Sequence, residues 1–273
     1  MASSIEDGAR KGRGLSQALT AHPSYGPLPA LLLVLTAVTG VVDAVSILSL
    51  GRVFVANMTG NVVFAGFALV GAPGFSLSAS LFAVAGFLVG ASFAGTLITR
   101  SGGDRGSLLR AGVTAELVFA IVALIIAATS GAPGVSHGTS AAPHAFGPAI
   151  IDAIASVLAI ATGIQNAVAR KLAVPDMTTT VLTMTLTGIG ADVRALVDGG
   201  PGPGRAAARA ALDRRLLSIA TMLAGAVLSA WLVLHVSPLS ALILATALLA
   251  VATAGATLAA TRPAPWRIPK GAA

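Results

Sequence analysis

Val34-Leu35-Thr36-Ala37-Val38-Thr39-Gly40-Val41-Val42-Asp43-Ala44-Val45 is a membrane-grade apolar run with a carboxylate set into it. Its key positions return later as Val157-Leu158 and then Thr162-Gly163-Ile164-Gln165-Asn166-Ala167-Val168. Downstream of each copy lies a second matching pair, Met58-Thr59-Gly60-Asn61-Val62 and Met177-Thr178-Thr179-Thr180-Val181. Many transporter folds are built from such duplications, with a polar site near the bilayer midplane where the copies meet.

The rest of the composition agrees with a membrane setting. Hydrophobic residues make up 55% of the chain and charged residues 10%, and mean hydropathy is +0.89. A soluble domain carries about 25% charged residues, so this chain lacks the polar surface to cover itself in water. The expected fold class is all-α, a polytopic integral membrane protein. With no cysteine, disulfides and thiolate metal sites are excluded. The net charge of +7 fits Lys and Arg gathered in cytoplasmic loops, and no nucleic-acid partner is expected. The first 27 residues read as a cytoplasmic tail rather than a cleaved signal, because no small-residue cleavage site follows the apolar run.

Eight apolar segments can be marked, at 29–50, 53–72, 78–99, 108–130, 147–169, 177–193, 216–235 and 239–261. Crossing the hydrocarbon core takes about 20 helical residues. Two segments are interrupted or shortened by polar groups: 53–72 by Asn57, Thr59, Gly60 and Asn61, and 177–193 by six threonines. If all eight crossed, either Arg100, Arg105, Arg110, Arg170 and Lys171 or the arginines between 194 and 215 would fall outside, against the positive-inside rule. If 53–72 and 177–193 enter and leave on one side, every basic cluster becomes cytoplasmic and only Arg52 lies opposite. The expectation is therefore six crossing helices plus two broken or re-entrant segments. Three crossings per copy make the two halves inverted repeats.

This divides the chain into a cytoplasmic tail (1–27), a first membrane repeat (28–130), an external linker (131–146), a second repeat (147–261) and a cytoplasmic tail (262–273). The second repeat contains a cytoplasmic loop, 194–215, whose Ala/Arg part reads as a short helix of its own. The stripes Gly86/Gly90/Ala94 and Thr221/Gly225/Ser229 are spaced for close helix contacts in lipid.

The candidate binding residues are Asp43, Asn57, Thr59, Asn61, Gln165, Asn166, Thr178 and Thr179. A charge at mid-helix costs about 2.5–3.5 kcal/mol on insertion scales. Asp43 therefore either contacts a coupling ion or substrate, or bonds structurally to the Thr/Asn-rich segment that follows. Its repeat mate Asn166 cannot ionise. Gly60 permits backbone angles suited to a helix break, and Asp176 reads as the N-cap of the second polar element. Thr183 to Thr187 read as hydroxyls serving their own helix. Glu116 and Asp152, placed near opposite membrane faces, are expected to snorkel or pair with terminal charges such as Arg110, with a functional role as the alternative.

Catalytic and metal signals are weak. Gly90-Ala91-Ser92 lacks a nearby histidine, since His235 lies at the far end of its span. His137 and His144 have neither the count nor the spacing of a zinc site. No enzyme activity, metal or cofactor is expected.

The blocks Thr39-Gly40-Val41-Val42-Asp43-Ala44, Gly51-Arg52-Val53-Phe54-Val55-Ala56-Asn57-Met58-Thr59-Gly60-Asn61 and Thr162-Gly163-Ile164-Gln165-Asn166-Ala167 resemble the YoaK-like bacterial membrane proteins. The resemblance runs over about residues 29–260. It implies a bacterial cytoplasmic membrane, agrees with the count of six spans and supplies no substrate; the Lys/Arg distribution places both termini inside. The functional expectation is secondary transport or channel-like passage of a small solute, proton- or ion-coupled, by a chain that contacts the lipid bilayer and is open to homo-oligomerisation. The alternatives are a structural or regulatory membrane partner and, third, an intramembrane enzyme.

Overall fold

The computed structural model describes residues 22–130, 146–177, 179, 182–197 and 203–268. Eight α-helices are described in chain order: α1 (Leu28–Ser49), α2 (Met58–Leu69), α3 (Leu77–Arg100), α4 (Arg105–Thr129), α5 (Pro148–Leu172), α6 (Leu182–Val197), α7 (Pro203–His235) and α8 (Pro238–Thr261). Six of them, α1, α3, α4, α5, α8 and α7 from Ala207 onward, are long and apolar enough to cross a membrane. At 1.5 Å per residue, α2 with 12 residues and α6 with 16 reach about 18 and 24 Å, short of the roughly 30 Å hydrocarbon core. These are the two segments that polar residues interrupt.

The crossing helices start where local chemistry lets them. Pro29, Pro148 and Pro238 occupy first turns, where a missing N–H costs nothing. Ser76, Asp104 and Ser237 accept hydrogen bonds from first-turn N–H groups of α3, α4 and α8. One boundary differs from the sequence reading. The Ala/Arg stretch within 194–215 is no separate helix; from residue 203 it runs without interruption into α7. Alanine and arginine are both strong helix formers, and among the described residues no Gly or Pro separates them from the apolar run beyond Arg215.

Packing runs between the halves more than within them. Helix α1 lies against α7 and α3 lies against α5; likewise α1 meets α8 and α4 meets α5, while α4 meets α8 and α1 meets α5. Exchanging the halves maps this set of contacts onto itself. The close approaches repeat as well. A Cβ on Gly40 of α1 would strike the Met222 carbonyl of α7, and one on Gly225 would strike that of Ala37. In the other pair, Gly163 of α5 faces the Phe87 carbonyl of α3, and Gly90 faces that of Ile160. Gly86 lies against Ser156, and Ser229 Oγ donates to Val41 O at 2.8 Å. Both small-residue stripes thus do what their spacing implies.

The outer faces are apolar and exposed, with Leu81, Leu88 and Phe93 on α3, Val118 and Ile125 on α4, and Leu223 and Val227 on α7. Such surface is stable only in lipid, so the chain is a multi-pass membrane protein in contact with the bilayer.

Candidate functional site

Helix α1 ends at Ser49, and Gly51 (φ 75°) and Arg52 (φ 55°) then turn the chain through left-handed backbone. Residues 53–57 have no regular structure and fold back beside α1. At membrane depth their N–H and C=O groups need partners from the protein, and the candidate residues supply them. Asp43 is 7% exposed, and its Oδ1 accepts from Val55 N at 3.2 Å and Ala56 N at 3.0 Å. Thr162 Oγ1 of α5 donates to the Val55 carbonyl, and Asn166 Nδ2 donates to Thr162 O at 2.9 Å. The two repeat copies therefore meet around one residue, Val55.

Asn61, fully buried, braces the neighbouring peptide groups from both sides. Its Oδ1 accepts from Phe54 N at 2.8 Å and its Nδ2 donates to Phe54 O at 2.6 Å. Gly60 has a different role from the one its sequence context suggests. It sits in regular α2 backbone, and the Phe54 ring occupies the place of a Cβ. Gln165 bridges α5 to α1, donating to Thr39 Oγ1 at 3.0 Å and Leu35 O at 3.3 Å.

Asn57, Thr59 and Thr179 do not join this cluster. Asn57 and Thr59 are exposed, and Asn57 does not cap α2 with its side chain. Thr179 is buried, and its Oγ1 has no hydrogen-bond partner among the described residues. Thr178 lies outside the described residues. Asp43 forms no ion pair among the described residues, and its Oδ2 accepts no hydrogen bond there.

The second break is secured by charge. Ala173 (φ 49°) ends α5 and Asp176 (φ 63°) lies in the following turn. Asp176 is not a helix N-cap, because α6 begins only at Leu182. Its carboxylate instead pairs with Arg214 at 2.6 Å and Arg215 at 2.5 Å, and Arg215 also reaches Asp192 at 2.6 Å. Gly188 leaves the space that the Arg215 guanidinium fills. At the same end of the bundle Asp104 receives N–H bonds from Gly106 at 2.9 Å and Ser107 at 3.1 Å and pairs with Arg267. The Arg267 hydrogen bond holds the Asp104 carboxyl below its ordinary range, against a partial desolvation that opposes it.

Two further residues are located, Thr187 of the threonine run and Glu116. Thr187 Oγ1 donates to Thr183 O at 2.9 Å, a hydroxyl serving its own helix. Glu116 neither snorkels nor pairs with Arg110. It lies at the middle of α4, 1% exposed, because α4 begins at Arg105 rather than 108. Asp152 is half-buried near the start of α5.

None of the candidate residues lines either of two recesses found among the described residues. One is an apolar groove of about 410 Å³ between α1, α7 and α8, lined by Ala37, Val41, Gly225 and Leu248 among others. The other, about 60 Å³, lies among His22, Tyr25, Val174, Pro175 and Arg214. Among the described residues no three His, Asp or Glu side chains stand together as metal ligands.

Comparison with known proteins adds a family but no chemistry. The UPF0700 transmembrane protein YoaK of Bacillus subtilis (strain 168) is 34% identical over 164 residues, which is 60% of this chain and 66% of that protein, a little under two thirds of its length. No solved structure matches the chain. A family model described as "Protein of unknown function (DUF1275)" matches residues 31–255, and on that match the chain belongs to the DUF1275 family of membrane proteins.

Proposed function

We propose that this protein passes a small solute across a bacterial cytoplasmic membrane, by secondary transport or channel-like conduction, with the α1–α5 contact as the centre of the pathway. The observation that carries the reading is the buried Asp43 carboxylate at a helix break between the two repeat copies, with Oδ1 committed to backbone and Oδ2 uncommitted. Intramembrane carboxylates are functional more often than soluble ones, and irregular backbone at membrane depth commonly lines a route. The chain carries no ATP-binding motif in its sequence, so a gradient or a partner supplies the energy. In this reading the halves are inverted, both termini are cytoplasmic, and no enzymatic step, cofactor or nucleic acid takes part.

Topology is tested by single-cysteine labelling, since the chain has no native cysteine. A cysteine replacing His144 should label from outside; labelling only from the cytoplasm ends the inverted arrangement. Function is tested by a thermal-stabilisation screen over ions, metabolites and pH, where a ligand at a hundredfold excess over Kd adds about 2.7 kcal/mol. Asp43→Asn should keep the fold and lose that stabilisation. A hit whose effect survives Asp43→Asn removes Asp43 from the pathway.

One observation favours a second reading, a structural or regulatory membrane partner without a transported substrate. The hydrogen bonds of Asp43, Asn61 and Thr162 described above go to backbone of this chain, as a scaffold requires. A screen without a hit, together with co-purification of a defined membrane protein, would favour it; a homo-oligomer fits either reading.

A further inference from the structure

Helix α4 buries one stripe, Leu109, Val113, Glu116, Ala120, Ala123 and Ala127, and packs on α5 and α8. Every member except Glu116 is apolar. Glu116 is 1% exposed, forms no hydrogen bond or ion pair among the described residues, and has its Oε2 sealed from solvent. Gly112, on the same face, lies against Val168 of α5. Consecutive crossings run antiparallel, so one turn further along Glu116 stands level with Ile164 and Gln165. Gln165 commits its Nε2 to α1, while its buried Oε1 has no donor among the described residues. Two sealed acceptors thus share one level of the bundle.

Among the described residues no counter-charge is placed to serve them. Helix α8 contains no ionisable residue, and α3 has only its terminal Arg100. Helix α5 carries Asp152 near its start and Arg170 and Lys171 at its end. The Asp43 carboxylate of α1 serves the first break. On α4 itself Arg105 opens the helix, and Arg110, exposed, is about 9 Å away along the axis. An ionised, unpaired carboxylate in such a place is very costly. A metal cation asks for about six oxygens, and the wall here is apolar apart from Gln165 and Thr253 of α8, whose hydroxyl is bonded to Leu249 O at 2.8 Å and Val113 O at 3.3 Å. A proton needs only the carboxylate that binds it and one acceptor for the resulting O–H.

We propose that Glu116 is a proton-binding site at the dry centre of the bundle, occupied in this packed arrangement, with Gln165 Oε1 as the acceptor for the acid O–H. The proton comes from water and returns to water when α4 parts from α5 and α8. The inference goes beyond the proposed solute passage and does not depend on it.

Glu6 and Glu116 are the two glutamates of the chain, so carboxyl-¹³C glutamate labelling gives two NMR signals, assigned with Glu6→Gln and Glu116→Gln. In the full-length protein in lipid nanodiscs, the Glu116 signal should sit at the position of a neutral acid near neutral pH and stay there while Glu6 titrates. Gln165→Leu should shift it. Glu116→Gln keeps the shape and a donor and should move Tm by less than about 3 °C, which separates loss of the proton from loss of the fold. A Glu116 signal at the carboxylate position near neutral pH, or one that titrates together with Glu6, overturns the proposal. So does a signal that responds to exchanging sodium for potassium at fixed pH, which would mark a metal-cation site.

Discussion

At the first break the carboxylate stands on the long helix, as Asp43, and serves two backbone N–H groups. At the second it stands on the break itself, as Asp176, and serves two arginines. The repeat mates are exchanged: Asp43 corresponds to Asn166, and Asn57 corresponds to Asp176. Each half keeps one carboxylate and one amide and places them oppositely. A shared backbone plan thus tolerates two kinds of fastening. The first is desolvated and beyond the reach of salt. The second lies partly exposed among charges, where screening acts.

The largest expected effects test the shared plan rather than the difference. Gly90→Val and Gly225→Val each drive a branched side chain into a facing carbonyl, which should cost about 3 kcal/mol or more. The twofold pattern expects similar losses, read as Tm and monodisperse yield. One variant tolerated and the other not would break the equivalence of the α3–α5 and α1–α7 contacts.

Next comes the desolvated fastening. Asp43→Ala leaves the Val55 and Ala56 N–H groups without their acceptor, for a loss of about 2–3 kcal/mol. Asp43→Asn keeps an acceptor oxygen and should lose about 1 kcal/mol or less, and neither value should change with salt. A strong salt dependence would show that the first break is reached by water.

The charged fastening should be weaker. Asp176→Asn installs the residue type of its own repeat mate and should cost about 1 kcal/mol at low salt, shrinking as ionic strength rises. A double-mutant cycle with Arg215→Gln measures the coupling. If Asp176→Asn costs more than Asp43→Ala, the ranking of the two breaks is reversed.

The smallest effect belongs to the α4 cap. Asp104→Ala should cost about 0.5–1 kcal/mol. Because the folded-state pKa of Asp104 is depressed, its contribution is full above the unfolded-state value and is lost as pH falls through the folded value. A Tm-against-pH profile in which Asp104→Ala differs from the parent only above the acid limb checks the sign.

Most of the architecture was legible because lipid imposes a simple rule: about 20 apolar residues cross and shorter or polar-broken runs do not. The boundaries of α1, α3 and α8 follow from it within a residue. The start of α7 did not, since arginine-bearing turns outside the hydrocarbon obey helix propensity rather than hydropathy. The site was half legible. Asp43 and Asn61 stood out as polar groups in apolar runs, but hydropathy cannot say that their partners are the peptide groups of Phe54, Val55 and Ala56. Glu116 was misplaced because Arg105 to Ser107, the polar first turn of α4, hides the true start of the helix. The role of Asp176 depended on arginines 38 and 39 positions away, a distance over which spacing carries no signal.

The crossed packing of the halves also bears on synthesis. The backbone contacts of α1 and α3 are made by α7 and α5, which leave the ribosome later. Until then Gly40, Gly86 and Gly90 line open seams in the lipid. A chain stopped after α4 would hold hydrophobic helices with no glycine-matched neighbour, a substrate for membrane quality control rather than a working half. Neither half of the chain is a finished object without the other.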